Sequence, residues 1–344
     1  MIVFPELYQA NALYLPIADN SVDCVVTSPP YWGLRDYHVD NQLGMESTPE
    51  EYCNNMTNVF REIWRVLKPT GTAWLNLGDS YVGTGHKGNW TDPKHREGRN
   101  GQVVAKNNKV KGLKSKDLVG IPWRVAFALQ ADGWYLRSDI IWSKPNPMPE
   151  SVKDRPTKAH EYIFLLTKSK NYYYDADAIR EKSSNAGKTI SLGAKSFSKG
   201  QAFGANVSPS GNGLRETYTV PSNRNKRSVW EIDTKYSDST YGGSGTGFKG
   251  HSGSFKSDGT PLDHPLGRNK RSVWSITTKP YADAHFATFP EDLIEPCILA
   301  GSPEGGIVLD PFVGSGTTMI VAQKHRRKGI GIDLNKEYLD LAVK

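Results

Sequence analysis

Four consecutive residues near the start of the chain carry groups that could hold a reactive amine. Ser28, Pro29, Pro30 and Tyr31 follow a β-branched apolar run, 22–27, that predicts a buried parallel strand. The exocyclic amine of a nucleobase is a poor nucleophile, because its lone pair is delocalised into the ring. The Ser28 hydroxyl and the Pro29 carbonyl could accept its two hydrogens, and Tyr31 could stack on a base taken out of a duplex. The string therefore predicts chemistry by positioning, without a covalent nucleophile.

A second string, near the end of the chain, could hold a nucleoside cofactor. Residues 310–318 read Asp-Pro-Phe-Val-Gly-Ser-Gly-Thr-Thr, between a predicted strand at 307–309 and a predicted helix at 317–324. A glycine turn at a strand end lets the backbone approach a ligand, and Asp333 ends the next strand, where a carboxylate can bind ribose hydroxyls. A dinucleotide site would need a third glycine where Met319 stands, and no P-loop pattern occurs. NAD and nucleoside triphosphates are therefore disfavoured.

Both strings require strands whose ends meet at one edge of a sheet. Short apolar runs alternate with segments of helical periodicity, which predicts an α/β fold with a parallel sheet. Thr48, Pro49 and Glu51 form a predicted capping box at the start of one helix, which Pro69 and Gly71 are expected to end. The further predicted elements are strands 73–77, 135–142, 162–167 and 329–333 and helices 122–131 and 290–299.

Length and composition exclude several classes of protein. The chain has 344 residues, of which 37% are hydrophobic, enough for a packed core. No apolar stretch is long enough for a membrane span and the first residues do not resemble a signal peptide, so we expect no membrane partner and a cytoplasmic location. Cys24, Cys53 and Cys297 are far apart and form no Cys-x-x-Cys pair, which predicts buried thiols, with no disulfide framework and no metal site.

The positive charge is concentrated in two segments. The net charge is +7, yet residues 85–116 carry nine Lys or Arg against two acids, and residues 180–280 carry sixteen against seven. The rest of the chain is therefore acidic, and the basic segments predict contacts with the phosphates of a nucleic acid. Residues 224–235 recur as 268–279 with ten of twelve positions identical. In each copy a basic cluster leads into a predicted strand; the candidate DNA-binding residues are Arg224, Lys226, Arg227, Arg268, Lys270 and Arg271.

In its motifs and in their order the chain resembles the beta class of amino methyltransferases that act on DNA and use S-adenosylmethionine. The resemblance covers residues 7–178 and 268–344. It implies the class I S-adenosylmethionine methyltransferase fold, circularly permuted, with helices on both faces of a seven-stranded, mostly parallel sheet whose final strand is antiparallel. The implied organisation is a catalytic part, 1–179, with the basic loop 85–116, an inserted target-recognition region, 180–267, and a cofactor-binding part of the same domain, 268–344.

The resemblance also implies roles for individual residues. Ser28, Pro29, Pro30 and Tyr31 correspond to the catalytic string. Asn11 stands where the family often has an acidic residue, so the contact to the adenine of the cofactor departs from the family pattern. The residues implied in cofactor binding are Asp310, Phe312, Gly314, Gly316, Thr317, Asp333, Asn11 and Phe289.

The serine at the head of the catalytic string favours one target base. Family members with Ser-Pro-Pro-Tyr usually methylate the N4 amine of cytosine, whereas Asp or Asn in place of the serine usually marks N6 methylation of adenine. We therefore predict a site-specific cytosine-N4 DNA methyltransferase. Adenine-N6 methylation, an RNA or protein amine as substrate, and a non-catalytic nucleic-acid binder remain as alternatives. Double-stranded DNA is the predicted partner; a homodimer and a cognate restriction endonuclease are further candidates.

Several further residues have reactive or polar side chains, and most of them are interpreted as structural. Asp79 follows a predicted strand and either contacts the base or caps the turn. Cys297 lies in an apolar helix and is interpreted as a core residue. The remaining assignments are Trp142 and Lys144 as pocket wall, His160 and Glu161 as a strand-entry pair, and Trp230 and Trp274 as core anchors.

Overall fold

The computed structural model describes residues 5–34, 37, 39–83, 112–147, 150, 152–180, 273–278 and 289–342. The six basic residues predicted to contact DNA lie outside these ranges, as do most of the basic loop 85–116 and the first copy of the repeat. The chain divides into two compact units, one of residues 1–149, 159–179 and 270–344, the other of residues 150–158 and 180–269. In the second unit, Glu150 binds Arg155 and accepts a hydrogen bond from the backbone N–H of Lys158. The domain boundaries drawn from the sequence stay a prediction.

The first unit contains an eight-stranded mixed sheet. In chain order the strands are β1 (Glu6–Gln9), β2 (Val22–Thr27), β3 (Leu67–Leu77), β4 (Tyr135–Ser143), β5 (His160–Thr167), β6 (Val273–Ser275), β7 (Ile307–Asp310) and β8 (Lys328–Asp333). Their spatial order is β1-β8-β7-β2-β3-β5-β4-β6. Of these strands β5 alone is antiparallel to its neighbours, β3 and β4. The predicted fold class is confirmed, with two differences from what the resemblance implied. The sheet has eight described strands rather than seven, and its antiparallel strand is the fifth in the chain rather than the final one.

Five α-helices accompany these strands. They are α1 (Pro49–Val66), α2 (Ile121–Ala131), α3 (Glu291–Gly301), α4 (Thr317–Lys324) and α5 (Lys336–Ala342), with a 3-10 turn at Asp177–Ile179. Within the described ranges, none of the helices has the length and apolar character that a membrane crossing requires.

Helix α1 begins where the capping pattern predicts and ends differently. Thr48 accepts a hydrogen bond from the backbone N–H of Glu51, whose carboxylate accepts from Ser47 rather than from Thr48 itself. The helix stops at Val66 and β3 starts at the next residue. Pro69 and Gly71 therefore lie inside the strand, where a shift in the register between β2 and β3 accommodates them.

Side chains of β3 alternate between two hydrophobic cores, which places helices on both faces of the sheet. Ala73, Leu75 and Leu77 belong to the core with the apolar face of α1, whereas Trp74 belongs to the core with α3 and α4. Trp274 of β6 is buried in the second core, as predicted for a core anchor.

The three cysteines are buried, as predicted. Burial raises the pKa of the Cys24 thiol to about 12 and that of Cys53 to about 11, so both remain protonated and unreactive at neutral pH. Cys297 donates a hydrogen bond to the carbonyl of Leu293 one turn earlier in α3. These thiols are therefore packing residues.

Candidate active site

A cavity of about 490 Å³ opens at the carboxyl-terminal edge of the parallel strands. The end of β2 supplies one wall, through residues 28–31, and the turn after β7 supplies another, through residues 311–315. Since parallel strands end at the same edge of a sheet, the two strings meet although they are far apart in the chain. The predicted site residues that line the cavity are Asn11, Ser28, Pro29, Pro30, Tyr31, Phe289, Phe312, Gly314, Thr317 and Asp333.

The catalytic string is held by hydrogen bonds and by close packing. The Ser28 hydroxyl lies 3.4 Å from the Tyr31 hydroxyl, which donates to Glu161 Oε2 at 2.8 Å. A Cβ atom on Gly78 would lie 2.5 Å from Tyr31 Cε2, so only glycine lets the ring lie against β3. The carbonyl of Pro30 accepts a hydrogen bond from Tyr52 in α1 at 2.9 Å.

Two polar residues beside this string, Asn76 and Glu161, were not assigned to the site from the sequence, whereas Lys144 was predicted to form part of the pocket wall. Asn76 Nδ2 lies 3.3 Å from Ser28 Oγ, 2.8 Å from the Tyr31 hydroxyl and 3.2 Å from Glu161 Oε2. Lys144 forms an ion pair with Glu161, and its ammonium lies 4.2 Å from the centroid of the Trp142 ring.

Two signals could have located these residues. Asn76 is a polar residue in the otherwise apolar run of β3, and it is only 6% exposed. Glu161 lies at the start of β5, and the start of an antiparallel strand reaches the edge at which its neighbours end. The interpretation of His160 and Glu161 as only a strand-entry pair was therefore wrong for Glu161, which lines the cavity together with Trp142 and Lys144.

The opposite wall is formed largely by backbone. Gly314 has φ +50°, and a Cβ atom there would meet no atom within 4 Å, so the cavity begins at its backbone. Its N–H donates to Asp333 Oδ2 at 3.0 Å, and burial raises the pKa of Asp333. Ser315 is among the residues that line the same cavity, and its Oγ is buried with no hydrogen-bond partner among the described residues. An unpaired hydroxyl, a glycine-lined opening and a carboxylate acceptor fit the polar parts of a nucleoside cofactor.

Two residues assigned to the cofactor have other positions. Asp310 is only 1% exposed and lies behind the cavity wall. Its Oδ1 accepts from the hydroxyl of Thr27 and its Oδ2 from that of Thr318, each at 2.7 Å. Gly316 caps α4 with φ +85°, where a Cβ atom would lie 2.8 Å from Ala342 Cβ. Neither Asp310 nor Gly316 is among the residues that line the cavity, so their direct contacts with the cofactor stay a prediction.

Asp79 is a helix cap. Its Oδ1 accepts hydrogen bonds from the backbone N–H groups of Ser80, Gly120 and Ile121, at the start of α2. A side-chain acceptor at this position satisfies N–H groups that the helix leaves unpaired. Of the two interpretations of Asp79, capping is therefore the one that the geometry supports.

The sheet with its edge cavity defines a class I methyltransferase fold, and solved structures share it. The PvuII DNA methyltransferase (cytosine-N4-specific) matches with a TM-score of 0.56 at 16% identity, covering 98% of this chain and 84% of that chain. The putative DNA modification methylase TTHA0409 of Thermus thermophilus, in complex with S-adenosyl-L-methionine, matches with a TM-score of 0.51 at 19% identity, covering 98% of this chain and 91% of that chain.

Sequence similarity identifies the family. The profile of the N6/N4 DNA methylases matches residues 22–344. The Type II methyltransferase M.Cfr9I of Citrobacter freundii is 42% identical over 339 residues, which span 98% of this chain and 86% of that protein. M.SmaI of Serratia marcescens is 41% identical over 320 residues, 93% of this chain and 82% of that protein. The chain belongs to the N6/N4 DNA methylase family, and the predicted S-adenosylmethionine-dependent amino methyltransferase of DNA is confirmed.

Proposed function

We propose that this enzyme transfers a methyl group from S-adenosylmethionine to the N4 amine of a cytosine extruded from a specific site in duplex DNA. The observation that carries the proposal is the position of Ser28, which lies in the wall of the same cavity as the glycine turn at 311–315. A serine at this position resembles the cytosine-N4 members of the family.

The residues of the chain hold the two reactants in place. Ser28 Oγ and the Pro29 carbonyl each accept a hydrogen bond from one N–H of the amine. These two hydrogen bonds favour a pyramidal nitrogen and direct its lone pair toward the methyl group. The Tyr31 ring, supported from behind by Gly78, offers a flat surface to the base. This transfer requires no covalent bond between the enzyme and the base.

The cofactor, when bound, supplies an electrophilic methyl group on a sulfonium. We assign its binding to the cavity-lining residues of the cofactor wall, with Asp333 as the acceptor for ribose hydroxyls and Asn11 on the adenine side. Phe289, Phe312, Gly314 and Thr317 complete this wall.

DNA recognition is assigned to the region 180–267 and to the basic residues that flank it. The net positive charge of this region suits a phosphate backbone. Relatives such as M.Cfr9I are Type II methyltransferases, and we propose that this chain is likewise the modification enzyme of a restriction-modification pair. The homodimer, the cognate endonuclease and the cytoplasmic location stay predictions.

Product analysis tests the target base. Duplex DNA is incubated with the enzyme and methyl-labelled S-adenosylmethionine, digested to nucleosides and analysed by mass spectrometry. We expect label in N4-methyldeoxycytidine. Label only in N6-methyldeoxyadenosine would establish the adenine alternative instead, and label only in RNA or protein controls would reject DNA as the substrate.

A further inference from the structure

We propose that Glu161 is a positioning residue that sets the direction of the hydrogen bonds reaching Ser28, so that Ser28 Oγ meets the target amine as an acceptor. The inference concerns a connected chain of groups, Lys144–Glu161–Tyr31–Ser28, which we call the Glu161 chain. It rests on the function proposed above and deepens it, because it explains how a hydroxyl is made to accept rather than donate.

The direction of the chain follows from the chemistry of its members. An ionised carboxylate only accepts hydrogen bonds, so at 2.8 Å the proton between Glu161 and Tyr31 belongs to Tyr31. Burial, and next the charge of Glu161, raise the pKa of Tyr31 well above its ordinary value, so the phenol keeps that proton. Its oxygen is then an acceptor for the Ser28 hydroxyl, 3.4 Å away. With its proton used in this way and one lone pair beside Asn76 Nδ2, Ser28 Oγ keeps one lone pair that can accept from the amine.

The amide of Asn76 supports the same direction. Turning the amide over would bring Oδ1 against Glu161 Oε2 and the Tyr31 oxygen, which are both acceptors in this arrangement. The Nδ2 group therefore faces the chain as a donor. Asn76 Oδ1 is left buried and without a hydrogen-bond partner among the described residues. A buried unpaired acceptor is unfavourable, so the donors of Asn76 are placed here at the expense of its oxygen.

Neighbouring strands hold the charged end of the chain. Trp142 of β4 is directly opposite Glu161 of β5 in the sheet, and Lys144 follows two residues after Trp142. The side chains of Lys144 and Glu161 are only 19% and 14% exposed. A neighbouring ammonium favours the charged form of a carboxylate, in which the carboxylate accepts hydrogen bonds and cannot donate them. The chain thus runs from a fixed charge pair on the sheet to the hydroxyl at the reaction site.

A double-mutant cycle tests this inference. Glu161→Gln, Tyr31→Phe and the double variant are assayed for single-turnover methyl transfer with saturating S-adenosylmethionine and DNA. Because Glu161 acts through Tyr31, we expect each single variant to lose about tenfold in rate and the double variant to lose no more than either. The affinity for S-adenosylmethionine, measured by calorimetry, should change by less than about twofold.

Glu62→Gln is the matched control. Glu62 is a partly buried carboxylate in an ion pair with Arg65, and it lies outside the cavity wall. We expect this variant to keep the wild-type transfer rate even where its melting temperature falls. If Glu161→Gln does not fold, Tyr31→Phe, which leaves the ion pair intact and keeps the ring, must show the tenfold loss alone.

The outcomes separate this inference from the proposed function. Losses that multiply in the double variant, or a wild-type rate in Tyr31→Phe, would overturn the role of Glu161. An equal loss of rate in Glu62→Gln would show a general effect of stability and would also overturn it. A wild-type enzyme that methylates no cytosine in DNA would reject the proposed function itself.

Discussion

The two walls of the cavity are constructed from different parts of the polypeptide. The wall around Ser28 depends on side chains, which form a continuous hydrogen-bonded network with Asn76 and Glu161. The wall around Gly314 depends on backbone, with a positive φ angle and an N–H group bonded to Asp333. The difference indicates that the identity of individual side chains matters most in the wall around Ser28, whereas the shape of a turn matters most in the wall around Gly314.

The two walls are joined by one buried carboxylate. Asp310 binds Thr27, which precedes the catalytic serine, and Thr318 in the first turn of α4. Substitutions in each wall, and in this link between them, should therefore have effects of different kinds.

The largest effect is expected from Ser28→Ala in the side-chain wall. Loss of an acceptor that acts on the attacking amine should lower the turnover rate by about 10²–10³-fold. The cofactor wall is untouched, so the affinity for S-adenosylmethionine should change by less than about twofold. Single-turnover kinetics and calorimetry measure the two quantities. Wild-type turnover in this variant would refute the assigned role of Ser28.

The second largest effect is expected from Asp310, the carboxylate that joins the two walls, and it is an effect on stability. Burial raises the pKa of Asp310 from its ordinary 3.8 to about 6. Between these values the folded state holds a proton that the unfolded state has lost, so this group makes the protein less stable as pH rises, by about 3 kcal/mol in total. The asparagine in Asp310→Asn does not titrate. The free energy of unfolding of this variant, minus that of the wild type, should therefore increase between pH 4 and pH 7.

Urea unfolding across this pH range measures the difference. Glu62→Gln gives a control of opposite sign, because the hydrogen bond from Arg65 lowers the pKa of Glu62 and its contribution to stability is lost as pH falls. A constant difference between wild type and Asp310→Asn would contradict the buried, proton-binding state of this carboxylate.

The smallest effect is expected in the backbone wall. Gly314→Ala and Gly305→Ala place a side chain at φ +50° and +77°, and neither Cβ atom would meet another atom within 4 Å. Both variants should lose about 1 kcal/mol of stability from backbone strain. Since Gly314 lines the cavity and Gly305 does not, Gly314→Ala alone should bind S-adenosylmethionine more weakly, by about tenfold, in calorimetry. Equal affinities would remove Gly314 from the cofactor wall.

The sequence predicted the elements that carry strong local signals. The strand Val22–Thr27 and the helix Thr317–Lys324 have their predicted bounds, because a continuous β-branched run and a glycine turn mark them clearly. The end of α1 was placed wrongly, since Pro69 and Gly71 are tolerated in β3 by a register shift that only the pairing with β2 creates. Pairing between strands here outweighs the local preferences of proline and glycine, and local preferences alone cannot predict it.

The site was predicted where motifs are contiguous and missed where residues come together through the sheet. Residues 28–31 form one string, whereas Glu161 reaches them only because β5 is antiparallel. Asp310 belongs to the cofactor motif, yet its side chain turns inward to two threonine hydroxyls. Side-chain direction at a strand end depends on neighbouring strands, so the motif alone could not distinguish a wall residue from one behind it.

The Tyr31 hydroxyl links position 28 to a strand that is distant in the sequence. An aspartate introduced at position 28, as in the adenine type of string, would bring a second carboxylate near the Tyr31 oxygen, whose single proton is already donated to Glu161. The two carboxylates would then compete for the donors of Tyr31 and Asn76. We therefore expect a serine-to-aspartate change at position 28 to require a compensating change at Glu161 on β5, more than a hundred residues away.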